Sequence, residues 1–310
     1  MTELPNIDIK NTPNIEALTS AIASQYPIFK KVIDTRKTDF GGSWTTRFER
    51  EMGIYFDGDI DAINRAADAY CSFSLEAMRL QAKFDQNLSY STSSYDEAVS
   101  TVYSNTDYMV NTYLPALLLS HYLWPHHYRQ IHWAHEHFFS RLLDLENVRF
   151  CDVGIGTGFY SKELLTTLPK SLGWGFDISP ASIAHTEHIL TKWHVMDRYQ
   201  LCQKEVAKLE DEGFNAFVSV ELLEHLEDPY EFLCMLRREV ANGAVGFVTA
   251  AIDAPNRDHI YLYRDNESVA KHIERAGFEI LDSINLAAYE KTTENETVPQ
   301  SGCFILRAIG

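Results

Sequence analysis

The chain has 310 residues, 45% of them hydrophobic, enough to bury a full core in one large or two ordinary domains. Its 27 Lys and Arg stand against 44 Asp and Glu, for a formal net charge of -17. That balance repels a phosphate backbone, and the basic pairs Lys30-Lys31 and Arg237-Arg238 are too small to offset it, so no nucleic-acid partner is expected.

At the N-terminus, residues 1–10 are polar and lack the apolar core of a secretion signal. No stretch of the chain reaches the ~20 apolar residues of a membrane span. Cys71, Cys151, Cys202, Cys234 and Cys303 are odd in number and never spaced as CxxC, which argues against a disulfide framework and a zinc knuckle. The expectation is a cytoplasmic protein in a reducing compartment, without a membrane.

From residue 14 to residue 145 apolar residues recur at three- and four-residue spacing with few turn signals, which predicts an all-helical region. One long helix starts at Asp59, a good N-cap, and carries the stripe Ala62, Ala66, Ala69, Tyr70, Phe73, Ala77, Leu80 and Phe84. A second starts near Asp107, and Pro115 inside it should bend or end it by removing an amide donor. A third opens at Trp124-Pro125, where proline suits the first helical position, and runs through Leu142. Six histidines fall between His121 and His137 with only one carboxylate, Glu136, among them; a solvated or pocket-facing helix surface is expected there rather than a zinc site.

After Asn147 the pattern changes. Residues 148–153, 173–178, 216–220 and 244–250 are short apolar runs with helical segments between them, the alternation of a parallel sheet covered on both faces. Residues 278–286 and 303–309 are strand-like and separated by a polar stretch, which predicts an antiparallel pair at one edge. The domains therefore divide as 1–146, helical, and 147–310, α/β.

The loop Asp152-Val153-Gly154-Ile155-Gly156-Thr157-Gly158 follows the first strand and precedes a helix that starts near Tyr160. Its spacing is GxGxG. A dinucleotide fingerprint needs a small residue where Phe159 stands, and no Gly-Lys-Ser/Thr follows, so neither a dinucleotide nor a Walker-type reading fits. Asp152 offers a carboxylate where a ligand ammonium can sit. Asp177, at the end of the next strand, offers one where a ribose can present two hydroxyls. S-adenosylmethionine (SAM) has both groups.

Four ordered segments, CDVGIGTGFYS, GFDISPASI, FNAFVSVELLEHLEDPYEFL and PNRDHIYLYRDNESVAKHIERAGFEIL, make residues 148–310 resemble a class I SAM-dependent methyltransferase, with a likeness to ubiquinone-biosynthesis O-methyltransferases. The resemblance implies a Rossmann-like seven-stranded sheet, mostly parallel, whose last strand is antiparallel. It implies that Asp152, Gly154, Gly156 and Gly158 hold the methionine part of SAM, and that Asp177 with Ile178 holds the ribose and adenine edge. Glu205, after the third strand, is assigned to the adenine amine, and Glu221, after the fourth, to the cofactor site.

SAM carries its own electrophile, so little catalytic machinery is required of the protein. The expected activity is methyl transfer to an O or N of a small molecule, in specialised metabolism, with the helical domain as lid and acceptor pocket. Tyr108 and Tyr113 are candidate lid residues that cover the sulfonium by cation–π contact, and His225 is a candidate catalytic group. Two other functions fit a SAM site: cyclisation of SAM itself to azetidine-2-carboxylate with release of methylthioadenosine, and non-catalytic SAM binding by a regulator. The pattern Glu221-Leu222-Leu223-Glu224-His225 with His259 downstream resembles the magnesium site of plant small-RNA 2′-O-methyltransferases, but imidazole disfavours magnesium and no metal is expected.

Overall fold

In the computed structural model, which describes residues 11–204, 213–291, 293 and 296–310, the first half of the chain is helical and the second is built on a sheet. The helical half comprises α1 (Pro13–Gln25), α2 (Val32–Phe56), α3 (Ile60–Asn87), α4 (Tyr95–Ala98), α5 (Thr106–Tyr108), α6 (Leu114–Leu123), α7 (Pro125–Ala134) and α8 (Ser140–Leu142). Asp59 caps α3 as its sequence position predicts, its carboxylate accepting from the Ala62 amide at 3.0 Å. Gly41 takes φ 72° and ψ -158°, which breaks α2 into two arms.

Pro115 does not end the helical run as it could from sequence; instead the ladder changes type beside it. A wider π turn at Met109–Tyr113 leads directly into α6, where Pro115 occupies the first turn. The change of ladder there accommodates a residue with no amide hydrogen. A second π turn, His135–Phe139, joins α7 to α8.

The other half contains α9 (Phe159–Thr167), α10 (Pro180–Lys192), α11 (Pro229–Glu239) and α12 (Asn266–Arg275) around seven strands: β1 (Arg149–Val153), β2 (Leu172–Asp177), β3 (Tyr199–Gln203), β4 (Phe214–Ser219), β5 (Val240–Ile252), β6 (Phe278–Ala287) and β7 (Gln300–Ala308). Their order is β3-β2-β1-β4-β5-β7-β6. The first five pair in parallel, and β7 inserts antiparallel between β5 and the edge strand β6. This is the mixed Rossmann-like sheet the sequence pattern predicts. The strand order reverses between β1 and β4, so the loops after them diverge and leave a crevice at their carboxyl ends.

The two halves share a core. One apolar cluster runs from Ile15 and Trp44 through Tyr122 and Phe138 to Phe159, Phe247 and Ile305. Beside it the Lys162 ammonium is buried. It lies 4.2 Å from the centre of the Phe159 ring, donates to Glu51 Oε1 at 2.8 Å, and also pairs with Glu163. Arg47 Nη2 and His135 Nε2 reach Glu163 Oε2 at 2.7 and 2.6 Å. Burial alone would raise the Glu163 carboxyl, but Lys162, Arg47 and His135 outweigh it and hold it well below the usual carboxylate range. Among the described residues no helix is long and apolar enough to cross a membrane.

Candidate functional site

The glycine loop takes its shape from three left-handed residues, and they do different work. Gly158 has φ 70°, and a Cβ there would stand 2.6 Å from Thr186 Cγ2, so glycine is needed for α9 and α10 to approach. Gly156, with φ 50°, would place a Cβ in open space at the cavity wall. Gly154 also lines the cavity, backed by Leu222, whereas Gly158 is not part of its wall.

Two carboxylates border the loop. Asp152 accepts from Ser161 Oγ at 2.6 Å, and Ser161 Oγ is 2.5 Å from Tyr199 Oη; with the serine hydrogen given to Asp152, the tyrosine donates to the serine. Burial pushes the Asp152 carboxyl up to about 7, with Asp177 adding to the rise against the Ser161 hydrogen bond. Asp177 accepts from the Gly156 amide at 3.1 Å and the Ser179 amide at 2.8 Å, which ties the end of β2 to the loop. Burial pushes it up to about 6, against the pull of those amides. Asp152, Asp177 and Ile178 all line the cavity. Glu205 lies outside the described residues.

After β4, Glu221 takes φ 51° and locks onto β5: its amide donates to Thr249 Oγ1 at 2.8 Å, and that hydroxyl donates back to Glu221 Oε1 at 2.7 Å. Burial, with the neighbouring Glu224 charge, pushes its carboxyl up to about 8. The segment after β5 clamps the next turn, since Ile260 and Tyr261 donate their amides to the Glu224 carbonyl.

A buried network centres on Asp258. Tyr113 Oη and Tyr103 Oη donate to Asp258 Oδ2 at 2.9 and 3.1 Å, and His225 Nδ1 lies 3.0 Å from the Asp258 carbonyl. A carbonyl only accepts, so His225 carries its proton on Nδ1. Burial would lower His225 and raise Asp258; each is instead shifted the other way, because the imidazole stands beside Asp258 and Glu224 and the carboxylate beside His225, His259 and two phenols.

His259 Nδ1 likewise donates to the Ala254 carbonyl at 2.6 Å, leaving Nε2 with a lone pair. Burial, with His225 nearby, drives its imidazole down to about 3. Glu224 accepts from the Ala251 amide at one oxygen, while its buried Oε1 has no hydrogen-bond partner among the described residues. Ligand atoms of Glu224, His225 and His259 lie within 4.8 Å of one another, the one group of three among the described residues that could hold a metal ion. Glu221 is not part of it.

The six histidines of the helical half separate. His135 and His137 pair with Glu163 and with Asp282, and His132 packs on Tyr128. His121, His126 and His127 line the cavity. His121 stacks on Phe159 with ring centres 4.0 Å apart. Ser120 gives its hydrogen to the Leu117 carbonyl, so at the 3.0 Å contact between Ser120 Oγ and His127 Nδ1 the imidazole donates. His127 Nε2 therefore keeps its lone pair, and burial drives the ring down to about 4.

Of the two lid candidates, Tyr113 lines the cavity through the Asp258 network. Tyr108 is not part of the cavity wall: its hydroxyl donates to Glu76 Oε2 at 3.3 Å and its ring is covered by Arg257 at 4.9 Å. Sequence reading missed Asp258 as a hub, although it stands beside His259 in a quoted segment, and missed the Tyr199–Ser161 relay, for which no local signal exists.

A family model for a methyltransferase domain matches residues 151–248. A search of curated proteins finds no match to the chain. Among solved structures, the chain is similar to the N-methyltransferase NodS from Bradyrhizobium japonicum WM9 in complex with S-adenosyl-L-homocysteine, at a TM-score of 0.50 and 15% identity over 66% of this chain and 97% of that one. It is also similar to the [4+2]-cyclase SpnF, at 0.48 and 15% over 59% and 81% of the two chains. A third is a putative sarcosine dimethylglycine methyltransferase from Galdieria sulphuraria, at 0.46 and 12% over 59% and 86%.

Proposed function

We propose that this chain, whose residues 151–248 match a methyltransferase-domain model, transfers the methyl group of SAM to an oxygen or nitrogen of a small-molecule acceptor. In this reading residues 147–310 bind SAM and the helical half up to residue 146 is lid and acceptor chamber. The observation that carries it is the cavity. At about 1430 Å³ it exceeds the ~300–1,000 Å³ of a site for one drug-sized ligand, and it runs from the glycine loop into walls supplied by α2, α3, α6 and α7. Cyclisation of SAM would be better served by a chamber closed around SAM alone.

SAM, when bound, supplies a methyl carbon activated by the sulfonium. Asp152 faces its ammonium, Gly154 and Gly156 leave room for its methionine part, and Asp177 with Ile178 borders the ribose and adenine edge while still holding the loop amides. Glu221 braces the opposite rim. Tyr113 shapes the chamber through Asp258, and His225, already engaged there, positions that segment. His127 lines the chamber with its Nε2 lone pair free to accept a hydrogen bond from the acceptor's O–H or N–H, while burial leaves the ring too weak a base to hold a proton at neutral pH.

The test is product analysis. The protein is incubated with SAM alone and with a panel of small phenols, alcohols and amines, and the nucleoside product is identified by mass spectrometry. S-adenosylhomocysteine formed only with an acceptor supports methyl transfer. Methylthioadenosine from SAM alone overturns it in favour of cyclisation, and tight SAM binding with neither product overturns it in favour of a regulator.

A further inference from the structure

The cavity wall away from the glycine loop holds polar atoms without partners. Arg36, on the first arm of α2, is 12% exposed at its side chain. Its Nε and Nη1 are buried and have no hydrogen-bond partner among the described residues. Nη1 lies 3.2 Å from Asp39 Oδ2, close enough for charge attraction but off the hydrogen-bonding direction. His126, 8% exposed, has a buried Nδ1 that is also unpartnered among those residues. Buried polar atoms are nearly always satisfied; the Arg36 guanidinium only donates and so calls for an acceptor, whereas His126 Nδ1 matches a donor or an acceptor according to its tautomer.

Arg36, Asp39, His126 and Arg129 all line the cavity, and the charges of Arg36 and Arg129 both press on the His126 ring, which burial already drives well below its ordinary range. His126 is thus a neutral group between two cations. Asp39 offsets one of them, leaving about one uncompensated positive charge, which suits a monoanion better than a phosphate dianion. The Gly41 break sets the arm that carries Arg36 and Asp39 apart from the arm that packs Trp44 and Phe48 into the core.

A path of flat rings connects this wall to the glycine loop. Phe159 stacks on His121, His121 and His127 are 6.0 Å apart, and His127 touches both Trp124 and His126. Trp124 is in turn stacked on both Phe73 and His126, at interplanar angles of 22° and 19°. These rings are tilted to one another, by 40° between His121 and His127 and 55° between His127 and Trp124, and together they line the wall from the loop to His126, whose ring feels the Arg36 charge.

We propose that Arg36, with Arg129 and His126, binds a carboxylate on the acceptor, so that the acceptor is a planar or aromatic monocarboxylate held anion-inward with its nucleophile toward the glycine loop. The Nε and Nη2 edge of the Arg36 guanidinium, with its two parallel N–H groups, donates to both carboxylate oxygens in one plane. This rests on the methyl-transfer reading for the word acceptor, but the binding site itself does not.

The experiment is calorimetric binding to the full chain saturated with S-adenosylhomocysteine. The probes are benzoate, 4-hydroxybenzoate, cinnamate and indole-3-acetate, each beside its primary amide. At least one acid is expected to bind about 10- to 100-fold more tightly than its amide, the range of a hydrogen-bonded charge. Arg36→Gln should remove that preference and Arg36→Lys should restore only part of it, with S-adenosylhomocysteine affinity and the melting temperature showing that each variant is folded. The proposal is overturned if no acid is preferred over its amide, or if the preference survives in Arg36→Gln. Failure of S-adenosylhomocysteine to bind would instead count against the SAM site, and absence of methyl transfer with carboxylate binding intact would count against the methyl-transfer reading alone.

Discussion

Tyr113 Oη donates a 2.9 Å hydrogen bond to Asp258 Oδ2, joining the π turn before α6 to the segment after β5. Both groups are buried, and Tyr103 adds a second donor to the same oxygen. The helical wall of the cavity is therefore fastened to the sheet at its rim. Tyr113→Phe should destabilise the fold by about 1–3 kcal/mol, the usual cost of leaving a buried charged acceptor short of a partner. Urea melts give the number, and an unchanged midpoint would mean that Tyr103 and His225 suffice to hold Asp258.

Gly156 and Gly158 should respond differently to the same change. In Gly158→Ala the new methyl meets Thr186 and the backbone is held at φ 70°, so the fold loses stability and SAM affinity together. Gly156→Ala has open space before it and should retain most of its stability, losing about 1 kcal/mol to its backbone. Its SAM affinity should nevertheless fall about tenfold or more, because the methyl occupies the ligand's approach. Thermal melts and calorimetry on the pair separate the two roles; equal losses of stability would contradict the assignment.

Asp152 gives a pH dependence whose sign can be worked out. Its folded value of about 7 lies above the ordinary carboxylate value of ~3.9, so between them the folded apo chain holds a proton that the unfolded chain has released. The contribution of this group to stability is full below pH ~4 and is lost as pH rises through about 7. Asp177 acts in the same direction, through about 6. A cationic ligand favours the ionised carboxylate, so SAM should bind more tightly as pH rises from 5.5 and level off above 7.5, with proton release near pH 6.5. Titrations in buffers of different ionisation enthalpy detect the released proton, and a flat profile in wild type matching Asp152→Asn would sink the role of this group.

Lys162 is the central cation of the cluster that joins α2, the π turn after α7, and α9. Lys162→Met keeps the apolar stem but leaves Glu51 and Glu163 buried with less positive charge, and should cost about 3–5 kcal/mol. Protease sensitivity of the helical half should rise with it. The measurement is a denaturant midpoint, and a loss under 1 kcal/mol would show that Arg47 and His135 carry the cluster alone.

The sheet, its antiparallel end, the Asp59 cap and the glycine loop were legible because each is written in neighbouring residues: alternating apolar runs, one capping side chain, or glycines at fixed spacing. Pro115 marked a disturbance of the helix, but that its missing amide is absorbed by a π turn and does not end the run was not legible, because no property of that proline announces the turn. Tyr108 and Tyr113 look alike in sequence. Five residues along a distorted helix, one ends on Glu76 beneath Arg257 and the other on Asp258 in the cavity wall.

By itself, then, the sequence determined what short-range geometry can encode, namely a parallel sheet, a loop suited to SAM, and carboxylates at Asp152 and Asp177. Only the tertiary structure decided which of six histidines face the cavity, that Asp258 collects phenols from residues 145 and 155 positions away, and that Arg36 has donors left unmatched. The physical reason is that burial and partnership depend on how the helical half packs across the sheet. A side chain's charge, tautomer and freedom to bind a ligand are set by neighbours distant in the chain.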